Sequence, residues 1–167
     1  MGKTSRSLFI GDLLTKKINE KKDFDFNCEL ISLNELDIPI CDGNNHLNNK
    51  TVLDLSNKIE NSDGIIIFTP IYNYNINSAL KNLIEMTGNS WKKKIIGFVC
   101  IAGGEKSYMS VMPFANSLML DHRCVILPRF VYVQSSDFID NNKLNDAIII
   151  RINDLVDDLI KFVRSLT

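Results

Sequence analysis

Two stretches constrain this chain more than any other feature: GIIIFTP, residues 64–70, and KKIIGFVCIA, residues 93–102, both rich in β-branched side chains and almost free of polar interruption. A strand with one face in water alternates apolar and polar residues. A run that does not alternate belongs to a strand covered on both faces, as in a parallel sheet lined by helices. The flanking sequence supplies those helices. Residues 4–22, 48–61, 77–86, 107–120 and 142–166 repeat apolar residues at helical spacing, with Val52, Leu55 and Ile59 on one face of the second and Leu144, Ile148, Ile152, Leu155, Leu159 and Val163 on one stripe of the last. Gly88 stops the third, and Pro113 either kinks the fourth or moves its start later. Two more strands are expected, FNCELISL at 26–33 and CVILPRFVYV at 124–133, the latter at a sheet edge because Pro128 interrupts it.

Strands alternating with helices predict an α/β fold, a doubly wound parallel sheet with helices on both faces. Five helices against four strands is one strand short of a regular repeat. No internal repeat, low-complexity tract or linker divides residues 1–167, so a single domain is expected.

Composition narrows the function classes. With 23% charged residues and a net charge of −1, the chain gives no electrostatic reason to expect nucleic acid or an anionic membrane as partner. No apolar run approaches the roughly 18 residues of a membrane span, and the N-terminus has no secretory core, so the expected address is the cytoplasm. Cys28, Cys41, Cys100 and Cys124 show no CxxC spacing and read as reduced, mostly buried thiols.

In an open parallel sheet, ligands bind beyond the carboxyl ends of the strands. Three loops offer matching chemistry there. Thr4, Ser5 and Ser7 bring hydroxyls and helix-terminal amides suited to phosphate; TPIYNYNIN brings aromatic rings and carboxamides; AGGEKS brings bare backbone at Gly103 and Gly104. A planar uncharged ring joined to a phosphate would use all three. The chain has no Walker GxxxxGK[ST], no GxGxxG after a strand, no HExxH and no nucleophile elbow. Asp63 begins its strand, whereas a phospho-receiver aspartate would end it. Lys81 reads as a solvated helix residue, Cys100 as packing, His46 and His122 as surface residues, and Lys92–Lys94 as the solvated start of a strand, placed to help attract an anionic dinucleotide.

TPIYNYNINSALKNLIE, residues 69–85, resembles the TPxYNxxxxxxLKNxID signature of the flavodoxin-like, NADPH-dependent FMN reductase family, with Pro70, Tyr72, Asn73, Leu80, Lys81 and Asn82 all in place. SDGIIIFTP is similar to the strand leading into that signature, IAGGEKS to the family's glycine-rich third flavin loop, and SRS to its SxN phosphate site. The resemblance implies strand order 2-1-3-4-5 with strand 1 missing from this chain: Ser5 and Ser7 match the end of a GSxRxxSxN loop whose preceding strand is absent, as when a start codon is assigned too late or the chain is truncated. It also implies site residues. Thr4, Ser5 and Ser7 would hold the FMN phosphate; Pro70, Tyr72 and Asn73 would contact the isoalloxazine and ribityl; Ala102, Gly103 and Gly104 would approach the ring edge, with Ser107 nearby. Ile71 departs from the glutamate common in the family, and Asn77 from a proline.

The implied activity is hydride transfer from NADPH or NADH through FMN to a small electron acceptor such as a flavin, quinone, azo compound or metal oxyanion, by ping-pong kinetics, in a homodimer or homotetramer. No protein acid or base is demanded, and no metal. Two other readings use the same features: a flavodoxin-like electron carrier without a nicotinamide site, and a flavin-free chain made inert by the absent strand.

Overall fold

In the computed structural model, residues 5–20, 26–44, 48–140 and 143–166 are described. In chain order the elements are α1 (Arg6–Glu20), α2 (Lys50–Glu60), β1 (Gly64–Tyr72), β2 (Asn75–Ile76), α3 (Ser78–Thr87), β3 (Ile95–Ile101), α4 (Met112–His122), β4 (Val125–Val133), β5 (Phe138–Asp140), β6 (Lys143–Leu144) and α5 (Asp146–Leu166). The main sheet runs β2-β1-β3-β4. Its three long strands are parallel, with Thr69 opposite Cys100 and Cys100 opposite Tyr132; β2 folds back antiparallel on the end of β1.

Alternation along the strands sends successive side chains to opposite faces. Ile67, Ile96 and Phe98 meet Leu55 and Ile59 of α2, Leu80 and Leu83 of α3 and Phe114 and Leu118 of α4. On the other face Val99, Leu127 and Val131 meet Ile10 and Leu14 of α1 and Ile148, Ile152 and Leu155 of α5. Each fully buried side chain of this kind contributes about 1.5–3 kcal/mol. This is the flavodoxin-like, doubly wound α/β arrangement expected from the sequence. Gly97 lets α5 lie close to the sheet, since a Cβ there would stand 3.0 Å from Leu155 Cδ1. Asn49 caps α2 on Val52 N–H, and Asn77 caps α3 on Leu80 N–H.

Several expectations need correction. The strand at 26–33 does not form: residues 26–32 carry no ladder and Leu33–Glu35 make a 3-10 turn. A strand needs a partner, and among the described residues none runs along the other edge of β1 from Gly64 to Pro70. The segment packs instead, Leu30 against Gly11 of α1 and Ile31, Leu33 and Leu36 against the α2–α3–α4 side. Pro113 sits in the first turn of α4, where a missing N–H costs nothing, so that helix starts later, at Met112. Residues ahead of Asp146 that the sequence assigned to the last helix belong partly to the β5–β6 pair.

His122 is buried at the end of α4, not on the surface; its carbonyl accepts Lys93 N–H at 2.9 Å. His46 and Thr4 lie outside the described residues. Cys100 and Cys124 are buried and Cys28 and Cys41 half-buried, all four as free thiols. Among the described residues no helix is long and apolar enough to cross a membrane, and no group of three or more His, Cys, Asp or Glu residues is placed to hold a metal ion.

Candidate functional site

The chain leaves β1 and β3 at the same end of the sheet, because Pro70 registers with Ile101. After β1, Tyr72 pairs with Asn75, leaving Asn73 and Tyr74 as a two-residue loop, both with positive φ (50° and 59°). Such hairpins match the right-handed twist of their strands, but a tyrosine in the left-handed region is held there at a cost of about 1–3 kcal/mol. Tyr72 and Tyr74 are both more than 60% exposed. Pro70 is half-buried and Thr69 fully buried, its hydroxyl accepting from Asn77 Nδ2 at 3.2 Å. Asn77 thus ties the helix cap to the strand end, work that a proline could not do.

Beyond β3, Ala102 is buried and its N–H donates to Val133 O at 2.9 Å, joining the ends of β3 and β4. Gly103 and Gly104 follow, exposed; a Cβ at either would meet nothing within 4 Å, and Gly104 is extended. The fold itself therefore makes no demand for glycine here. Ser107 is half-buried at the end of the 3-10 turn Glu105–Ser107.

Ser5 starts α1, its carbonyl accepting Phe9 N–H, and its hydroxyl lies 2.8 Å from that of Ser7. No carboxylate occupies the first turn. The first turn of α1 thus adds no side-chain anion to the positive end of the helix dipole, which suits an anion site. Arg6, between the two serines, donates to Ser135 Oγ at 2.7 Å and lies 4.7 Å over the Phe138 ring. That contact brings the start of α1 to the loop after β4, at the same end of the sheet as the other two loops. The sequence reading missed Arg6, Ser135 and Phe138; the sole signal was a cation between two hydroxyl residues.

The remaining motif residues are architectural. Asn82 donates to Pro39 O at 2.9 Å and accepts from Cys41 N–H at 2.8 Å, stapling the 39–41 loop to α3. Lys81 pairs with Glu85 one turn on, at the surface. Lys94 Nζ donates to the carbonyls of Glu60 and Ser62, and Lys92–Lys94 precede β3 at the opposite end of the sheet, so the run is not placed to draw a dinucleotide to these loops. Burial pushes the Cys100 thiol up to about 12, against a weaker opposing effect of its hydrogen bond with Tyr132, so Cys100 provides no thiolate near neutral pH.

Ser5, Ser7, Pro70, Tyr72, Asn73, Ala102, Gly103, Gly104 and Ser107 therefore all stand at or next to one rim of the fold, at the start of α1, at the end of β1 and its turn, and in the segment that follows β3, although Ala102 is buried. An open rim with exposed aromatics, bare backbone and a helix N-terminus suits a flat ring carrying a phosphate.

Comparison with known proteins agrees. The family model for NADPH-dependent FMN reductases matches residues 1–137. An NAD(P)H-dependent FAD/FMN reductase of Geobacillus thermodenitrificans (strain NG80-2) is 26% identical over 120 residues, 71% of this chain; the match spans 65% of that relative's length. Among solved structures, the flavoenzyme NAD(P)H:(acceptor) oxidoreductase FerB from Paracoccus denitrificans superposes with a TM-score of 0.75 at 19% identity, over 99% of this chain and 93% of its own. An NADH:FMN oxidoreductase (EMOB) in its apo form gives 0.60 at 18% identity, over 72% of this chain and 63% of its own. An oxidoreductase from Corynebacterium diphtheriae gives 0.62 at 15% identity, over 71% and 65%. At these identities the structures speak for the fold. The family match covers well over half of the 167 residues and includes all three loops, and on it the chain belongs to the NADPH-dependent FMN reductase family.

Proposed function

We propose that residues 1–167 act as one FMN reductase domain, an oxidoreductase that takes hydride from NADPH or NADH and passes the electrons to a small acceptor. The observation that carries this reading is the pair of exposed glycines, Gly103 and Gly104, which the fold does not need and which leave the backbone bare at the same end of the sheet as the Tyr72–Asn75 turn. That pair fits a flat ring edge. A bound FMN would supply the redox chemistry, hydride transfer from the nicotinamide and onward delivery to the acceptor by ping-pong kinetics.

The protein's part is to bind and orient. Ser5 and Ser7 offer hydroxyls, and the first turn of α1 offers amides, to the phosphate; Thr4 is assigned there by resemblance. Pro70, Tyr72 and Asn73 would contact the isoalloxazine and ribityl, and the Ala102–Gly104 backbone would approach the ring edge, with Ser107 nearby. Backbone amides around Gly103 and Gly104 would offer donors to the edge of a bound ring. The exposed Tyr72 and Tyr74 also support a homodimer or homotetramer, in which a neighbour covers them.

The test is FMN binding by flavin absorbance and fluorescence quenching, followed by NADPH oxidation. Binding with NADPH turnover is expected; binding without turnover is the outcome for an electron carrier, and a colourless protein that takes up no FMN overturns the flavin assignment. Gly103→Val is expected to abolish FMN binding with unchanged helical circular dichroism. Sedimentation showing an FMN-loaded monomer would defeat the oligomer assignment.

A further inference from the structure

Tyr108, directly after the glycine-rich loop, is 62% exposed although its ring lies 5.0 Å from that of the buried Tyr132. The turn that carries it is closed by a run of hydrogen bonds. Ser107, Tyr108, Ser110 and Met112 each donate a backbone N–H three residues back, to Gly104, Glu105, Ser107 and Met109, and Ser110 Oγ donates to Ser107 O at 2.6 Å. Met109 is fixed at φ 68°, a left-handed conformation that an unbranched side chain adopts at a cost.

Tyr132 is the post behind this turn. It stands opposite Cys100 in the sheet, shares a hydrogen bond with its thiol, and its hydroxyl accepts Val111 N–H at 3.5 Å and bonds the Met109 backbone. An exposed aromatic ring on a strained, braced turn loses little freedom when a second ring stacks on it. Its position, four residues past Gly104 at the carboxyl end of β3, puts it on the same rim as the Tyr72–Asn75 turn.

We infer that Tyr108 is a specificity-determining residue of the reductase: a braced aromatic platform on which planar conjugated electron acceptors stack, and which compact inorganic acceptors do not use. The inference rests on the flavin-reductase reading. Aromatic stacking predicts a change of about three- to tenfold on its removal.

The experiment compares the FMN-loaded wild type with Tyr108→Ala and Tyr108→Phe, using a naphthoquinone and ferricyanide as acceptors with NADPH saturating. The expected result is that Tyr108→Ala lowers the ratio of kcat/KM for naphthoquinone to that for ferricyanide about three- to tenfold, mainly through KM, and that Tyr108→Phe restores it. A ratio unchanged in Tyr108→Ala, or a loss that phenylalanine does not rescue, overturns the inference while the reductase reading stands. A wild type that binds FMN poorly and oxidises no NADPH overturns that reading and the inference with it.

Discussion

β1 and β3 are built from nearly the same apolar residues and lie side by side, yet they end in different states. All seven residues of β3 are buried, with a parallel neighbour on each side. In β1, Ile65, Ile66 and Phe68 are only half-buried, and beyond the two residues paired with β2 no described strand lines its other edge. The outer edge of β4 shows how an exposed edge is managed: Pro128 and Arg129 break its register, and Arg129 bonds Asp158 and Asp154 of α5. Between Gly64 and Thr69, β1 has neither charge nor proline. Burial of a strand is thus a property of its neighbours as much as of its own residues.

Hydrogen exchange is the most sensitive way to break this comparison. Amides of β3 should exchange only through global opening, whereas alternate amides of β1 that face away from β3 should exchange at least about a thousandfold faster. Equal protection would mean that the β1 edge is covered. Truncation reads the same contrast in energy. Phe98 is fully buried, stacked on Phe130 at 5.7 Å and edge-on to Phe114 at 6.1 Å, so Phe98→Ala should cost about 3–5 kcal/mol in urea unfolding. Phe68→Ala should cost about half as much or less.

Glycines under α5 sharpen it further. Gly97→Ala pushes on the fully buried Leu155, and Gly64→Ala on the half-buried Leu159 and the buried Val163 at still closer range, 2.9 and 3.0 Å, so each should cost about 1–3 kcal/mol. A further effect is on pH. Cys100 of β3 is held neutral by burial, its folded pKa raised from 9.0 to about 12. For an acid so raised, the contribution to stability is complete below pH 9 and lost as pH climbs towards 12. The unfolding midpoint should therefore fall over that window, and Cys100→Ala should flatten the fall.

Much of the fold was legible because period reports local geometry. α2, α3, β1 and β3 fall within a few residues of the pattern that predicts them. The segment 26–33 was misread because its pattern is that of a strand, while strand formation depends on a partner elsewhere in the chain. β5 and β6, three and two residues long, are too short to carry a period. His122 reads as a surface residue because the sequence offers it no partner, whereas the α4 face it occupies is buried. At the rim, serines, glycines and aromatics were readable as residue types. The Arg6–Ser135 contact joins residues 129 apart, and the left-handed turns at Tyr74 and Met109 are made by residues that give no hint of them.

Asn82 shows that one signature carries two kinds of information. Its carboxamide holds the 39–41 loop against α3, and Asn77 in the same stretch caps that helix, while Tyr72 and Asn73 sit on the open rim. Selection for a stable scaffold alone would preserve the second half of TPIYNYNINSALKN after any loss of chemistry, and selection for chemistry alone would preserve the first. In a set of diverged copies, the two halves should decay at different rates, and that difference would separate chains still under catalytic selection from those kept merely as folded proteins.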